Sequence, residues 1–114
     1  MRGCWRSLLF AGVLLTGAAP VRALSGEEMY RYCASNACGG YFLGAFDGVR
    51  IAGAVGDARL RKLTTICPPA HIDNGTVVQV ALDYLERHPR TRYLSAANLA
   101  LRAWRERWPC GGED

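Results

Sequence analysis

The sequence predicts an all-α fold, a compact bundle-like domain of four to five helices stapled by two disulfides. Three observations predict it. Apolar residues recur at helical spacing in three stretches, and no stretch alternates as a strand does. Helix-start and helix-stop residues, chiefly Ser25, Ser95, Pro89 and Pro109, bracket those stretches. Cys33, Cys38, Cys67 and Cys110 form an even set in a chain whose first residues read as an export leader.

The leader sets the domain boundary. Arg2 and Arg6 give a positive start, Leu8 to Leu15 an apolar stretch too short to span a membrane comfortably, and Val21-Arg22-Ala23 a small-x-small cleavage pattern. Residues 1–23 are therefore read as a cleavable secretory signal peptide and residues 24–114 as a single helical domain; a retained anchor is the alternative. Cys4 precedes the apolar stretch and leaves with the leader. Of 14 Lys plus Arg against 10 Asp plus Glu, Arg2, Arg6 and Arg22 leave too, so the processed chain is almost balanced. That removes the clustered positive charge from which nucleic-acid binding draws its affinity. The reading is of an exported protein that has no membrane contact after cleavage and does not bind nucleic acid.

The elements follow in order. Ser25-Gly26-Glu27-Glu28 fits a capping box and predicts a short helix from Gly26 to about Cys33, with Ser35-Asn36 supplying a turn. From Cys38 onward Phe42, Phe46 and Val49 form one apolar wall of a central helix, with Asp47 and Arg50 on another side. Gly40, Gly44, Gly48, Ala52 and Gly56 recur every fourth residue. Glycine weakens a helix by about 0.5–1 kcal/mol relative to alanine, so the stripe predicts close helix packing inside the domain, or else a dimer or partner surface. The segment from Ala58 to Leu63 reads as an extension of that helix or a separate turn, and Cys67-Pro68-Pro69 breaks it. A helix from Asn74 or Thr76 to His88 buries Val77, Val80, Ala81, Tyr84 and Leu85, with Asp83 and Arg87 spaced for an ion pair. The last helix follows Ser95, stops at Trp108, and is read with Ala97, Leu101, Trp104 and Trp108 inward.

A domain of this length buries only about 60–65% of its unfolded surface, so cross-links matter. Cys33 ends one helix and Cys38 begins the next, while Cys67 precedes the third helix and Cys110 follows the last. Antiparallel neighbours then favour Cys33 with Cys38 and Cys67 with Cys110; Cys38 with Cys67 and Cys33 with Cys110 is the rival pairing. A zinc site on Cys67 and His71 is the competing use, but the remaining ligands lack metal spacing. Nucleophilic catalysis needs an activated thiol or hydroxyl with a base in reach, and cystines leave no thiol. His71 beside Pro-Pro and His88 before Pro89 read as turn and capping residues. No phosphate loop or carboxylate pair is present, so the reading is of a protein that is not an enzyme and takes no cofactor or metal.

The ordered set Cys38-Gly39-Gly40-Tyr41-Phe42-Leu43-Gly44-Ala45-Phe46-Asp47-Gly48, Cys67-Pro68-Pro69, Tyr84-Leu85-Glu86-Arg87-His88-Pro89 and Trp108-Pro109-Cys110 resembles the Rap/Tai family of type VI secretion immunity proteins. The resemblance spans nearly all of the chain after the leader. It implies a small helical periplasmic protein that binds and sterically blocks a peptidoglycan amidase effector toxin, covering the toxin's catalytic cysteine and histidine, with homodimers among its members. The gap between Cys33 and Cys38 is shorter than in many relatives. The signature does not carry toxin-contacting residues; the Arg90, Arg92 and Tyr93 turn beside His88 is the candidate partner-binding surface, because Arg and Tyr on loops are common binding anchors. A periplasmic stress chaperone or an orphan helical binding domain is the alternative function.

Overall fold

The computed structural model describes residues 22–111. The signal-peptide reading therefore falls, apart from Arg22 and Ala23, outside the described residues. Five helices are formed: α1 (Gly26–Ala34), α2 (Gly39–Val55), α3 (Ala58–Thr64), α4 (Asn74–Arg87) and α5 (Ala96–Arg107), with a single 3₁₀ turn, Pro89–Thr91, between α4 and α5. No strand occurs among the described residues. The one extended pairing is an isolated bridge between Ser25 and Ser95.

Local chemistry sets most helix ends. Ser25 accepts from the Glu28 amide while the Glu28 carboxylate takes the Ser25 N–H at 2.8 Å, which completes the capping box at α1. Asp57, Asp73 and Ser95 cap α3, α4 and α5 in the same way, each accepting from the amide three residues on. At the other end of α1, Asn36 takes a left-handed φ of 59° and the Asn36 and Ala37 amides bond back to Cys33 and Tyr32. This is a Schellman stop with asparagine where glycine usually sits, and it turns the chain at once into α2. Asp57 starts α3 afresh, so Ala58–Thr64 is a separate helix; none of its residues is buried and it packs chiefly on α2.

The other four helices enclose the core. Phe42, Met29, Trp104, Leu85, Leu99 and Val77 are its largest fully buried side chains. The Trp104 indole N–H donates to the Val77 carbonyl at 3.0 Å, and Phe46 meets the edge of Trp104 with ring centroids 5.1 Å apart. Gly26 is where α1 crosses α5. A Cβ built there would lie 2.5 Å from Leu99 Cδ1 and 3.1 Å from the Arg92 carbonyl oxygen, so a larger residue would push the buried Leu99 side chain and the Arg92 backbone aside.

Three details of the sequence reading change. The buried face of α5 is Ala96, Leu99, Ala100, Ala103 and Trp104, while Ala97 is exposed and Leu101 half-buried. Trp104 and Trp108 are buried as the spacing predicts, and the alanines beside Trp104 replace Ala97 and Leu101 on the face that meets α4. Asp83 and Arg87 do not pair: Asp83 accepts from the Gln79 amide group at 2.6 Å, and Arg87 reaches Glu106 on α5 at 3.7 Å. The first three members of the glycine stripe do not pack inside the domain, because a Cβ at Gly40, Gly44 or Gly48 would meet nothing within 4 Å, whereas one at Gly56 would lie 2.8 Å from Leu60 Cδ2 of α3.

Both disulfides join helix ends. Cys33–Cys38 closes the α1–α2 turn with Cα atoms 4.8 Å apart, and Cys67–Cys110 ties the start of the segment before α4 to the residues after α5 at 4.9 Å. The Cys67 N–H also donates to the Trp108 carbonyl at 2.9 Å, which fixes the irregular Cys67–Asp73 stretch against the end of α5.

Candidate functional site

The turn between α4 and α5 is built by a proline. In a continuing helix the Leu85 carbonyl would accept from the amide of residue 89, but Pro89 has none. Arg92 supplies the missing donor: its Nε lies 2.7 Å from the Leu85 oxygen and its Nη2 lies 3.5 Å from that of Glu86. A cation at the carbonyl end of a helix also opposes the partial negative charge there. His88 closes the neighbouring position, with its amide 3.1 Å and its Nδ1 2.8 Å from the Tyr84 oxygen, and its ring stacked on Tyr84 at a centroid distance of 3.9 Å. The His88 carbonyl then accepts from both the amide and the hydroxyl of Thr91, which shapes the 3₁₀ turn.

This geometry sorts the four candidate residues. His88 is half-buried and engaged with Tyr84. The Arg92 side chain is only 14% exposed, lies 3.8 Å over the Tyr30 ring and approaches Glu27 of α1 at 3.6 Å. Arg90 and Tyr93 face solvent, Tyr93 at 77% exposure. A shallow concavity lined by Arg87, His88, Pro89, Arg90 and Thr91 opens beside them. The turn thus presents one cation and one phenol over a base held by hydrogen bonds. Arg92 belongs to that base. Its capping role was foreshadowed by the proline, since a cation a few residues beyond a helix end is a ready donor to the carbonyls a proline leaves unpaired; its contacts with α1 had no local signal.

A second surface escaped the sequence reading in part. On α2, Gly40, Gly44, Gly48, Ile51 and Val55 share the side opposite Phe42, Phe46 and Val49, and all five are exposed. Ile51 is 62% and Val55 79% exposed. No charged residue stands among them, although Asp47 lies alongside.

The four described cysteines are all paired, which removes Cys67 from any zinc site with His71. Among the described residues, no group of three or more His, Cys, Asp or Glu is placed to hold a metal ion. No helix among them is long and apolar enough to cross a membrane.

A family model described as Rap1a immunity proteins matches residues 25–110. The chain belongs to the Rap1a immunity protein family. No curated protein and no solved structure matches it. As a Rap1a-family member it is an immunity protein against a secreted toxin, and its function is to bind that effector. In this Rap1a-family chain the matched span runs from the Ser25 cap to the Cys110 cystine, so it takes in all five helices, both disulfides, the Pro89–Tyr93 turn and the open face of α2.

Proposed function

We propose that this Rap1a-family protein works in the periplasm, delivered there by the signal peptide of residues 1–23, and that its target is a peptidoglycan amidase effector of type VI secretion. It neutralises the enzyme by occupying its cleft, without chemistry of its own. The exposed Arg90 and Tyr93, with the outer edge of His88, enter or cover the cleft. The observation that carries this placement is the turn itself: two side chains of the kinds that dominate binding hot spots stand in solvent on a backbone already fixed by Arg92 and His88. A preformed turn loses little freedom on binding, and the disulfides add to that preorganisation.

The open face of α2 supports a homodimer. A helix side made of Gly40, Gly44, Gly48, Ile51 and Val55 allows two helices to approach closely, and these residues bring no like charges together across a two-fold axis. Sedimentation of the purified protein tests this part: a dimer that dissociates in a Gly44→Glu variant supports it, and a monomer at all concentrations rejects it.

The functional test is protection. The gene for this chain is co-expressed with a periplasm-directed peptidoglycan amidase effector of type VI secretion, and survival is counted. Wild type protects, and the leaderless chain from Leu24 does not. Truncation of a hot-spot residue costs about 2 kcal/mol or more, so Tyr93→Ala or Arg90→Ala weakens binding about thirtyfold or more. Full protection by the double variant Arg90→Ala/Tyr93→Ala sinks the turn as the contact surface, and failure of wild type to protect sinks the amidase reading for that pair.

A further inference from the structure

We infer that Arg92 is a positioning residue for effector binding: it stays out of the interface and holds the turn in the shape that presents Arg90 and Tyr93. The inference rests on the reading that this turn meets the effector. Four anchors converge on this one residue. Its Nε replaces the amide that Pro89 lacks at the Leu85 carbonyl, 2.7 Å away. Its guanidinium carbon lies over the Tyr30 ring, 3.8 Å from the centroid. Its Nη1 approaches Glu27 Oε2 at 3.6 Å, and its own carbonyl accepts from the Glu27 amide at 2.9 Å. Between Arg90 and Tyr93, both exposed, Arg92 is thus the residue through which the turn is bolted to α1.

A planar guanidinium can donate from its edge while its face covers a ring. A lysine ammonium is a point charge on a flexible stem and cannot do both. With methionine at 92 the Leu85 carbonyl loses its side-chain donor, and with lysine either that bond or the cover over Tyr30 is given up, so the turn is held less firmly. Arg90 and Tyr93 must then be ordered when the effector binds, and affinity falls although no interface atom has been removed.

The test compares Arg92→Lys, Arg92→Met, Arg90→Ala and Tyr93→Ala in the oxidised protein, with Arg92→Lys as the milder change should the methionine variant fold poorly. Amide hydrogen exchange is read at His88, Thr91 and Leu94, whose N–H groups bond to Tyr84, His88 and Thr91 carbonyls, and at Phe42 and Trp108 as distant references. Dissociation is read from a purified amidase effector against which the wild-type chain protects. Both Arg92 variants are expected to speed exchange at the three turn amides about tenfold, leave the references unchanged, and speed dissociation about tenfold. Arg90→Ala and Tyr93→Ala speed dissociation without touching exchange. Unchanged exchange at the turn in both Arg92 variants overturns the positioning role, as does a loosened turn with unchanged dissociation while Tyr93→Ala still dissociates faster. If none of the four variants alters dissociation, the turn reading fails and the inference falls with it.

Discussion

Removing the two disulfides separately should produce different losses that can be worked from their loops. Cys67–Cys110 spans a sequence separation of 43 and Cys33–Cys38 one of 5. In the chain-entropy treatment, cross-linking restricts the unfolded chain by an amount that grows with the logarithm of loop length, which gives about 4 kcal/mol for the long loop and about 2 kcal/mol for the short one at 25 °C. Cys33 and Cys38 are buried, at 9% and 4% exposure, so truncating them to alanine adds a packing loss of about 1 kcal/mol. The totals, about 4 and about 3 kcal/mol, are close, and the midpoint alone is a weak discriminator. The slope of the unfolding curve is a better one. The long cross-link compacts the denatured ensemble, so Cys67→Ala/Cys110→Ala should expose more surface on unfolding and raise the urea m value, whereas Cys33→Ala/Cys38→Ala should leave m unchanged. The assay is urea denaturation followed by tryptophan fluorescence, with Trp104 and Trp108 both buried and reporting on the core. A domain of this size has about 5–13 kcal/mol in hand, so both variants should remain foldable at 25 °C. A loss below about 2 kcal/mol with no change in m for the long-loop pair would refute the loop-entropy argument.

Two further outcomes follow from other parts of the fold. Gly44→Ala and Gly48→Ala should each stabilise the monomer by about 0.5–1 kcal/mol, because the added methyl meets nothing and the helix gains propensity; thermal melting at low concentration checks this, and a lowered midpoint contradicts it. The Glu28 and Asp73 carboxyls are held below their ordinary values of 4.5 and 3.8, first by the backbone amides of Ser25 and Thr76 and then by the hydroxyls of the same residues. Because both folded values are depressed, their stabilisation is complete above those ordinary values and is lost as pH falls through the folded ones, so Glu28→Gln and Asp73→Asn should flatten the fall of stability in that acid range and leave its shape near neutrality unchanged in urea titrations.

The helix ends were legible because they are written in local chemistry. Ser25 with Glu28, Ser95, Pro89 and Pro109 act within a few residues of themselves, and the disulfide pairing followed from the ends they set. The glycine stripe was misread over most of its length: spacing says that side chains are small along a line but not what lies across from them, and across from Gly40, Gly44 and Gly48 nothing in the domain does. The inward face of α5 was placed by its two indoles, whereas the closeness permitted by Ala96, Ala100 and Ala103 decides it. Asp83 and Arg87 had the spacing of a pair, yet exposed ion pairs are worth so little that Gln79 and Glu106 could draw them apart. At the candidate site Arg90 and Tyr93 were visible as exposed turn residues, while the commitment of Arg92 depended on α1 arriving from sixty-odd residues away.

The stitching of that first helix to the 92–96 segment has a consequence for how the molecule comes into being. Gly26, Glu27 and Ala96 amides bond across to the Leu94, Arg92 and Leu24 carbonyls, at 2.8, 2.9 and 2.7 Å. On the proposed export route, a chain entering the oxidising compartment from its beginning shows α1 long before the strip that receives it arrives, and Met29 stands uncovered until then. Such distant pairing makes assembly slow and leaves an adhesive intermediate. The small Cys33–Cys38 ring needs none of the later residues, so it can lock the α1–α2 corner in the waiting period and reduce the number of wrong partners Cys67 and Cys110 meet when they appear.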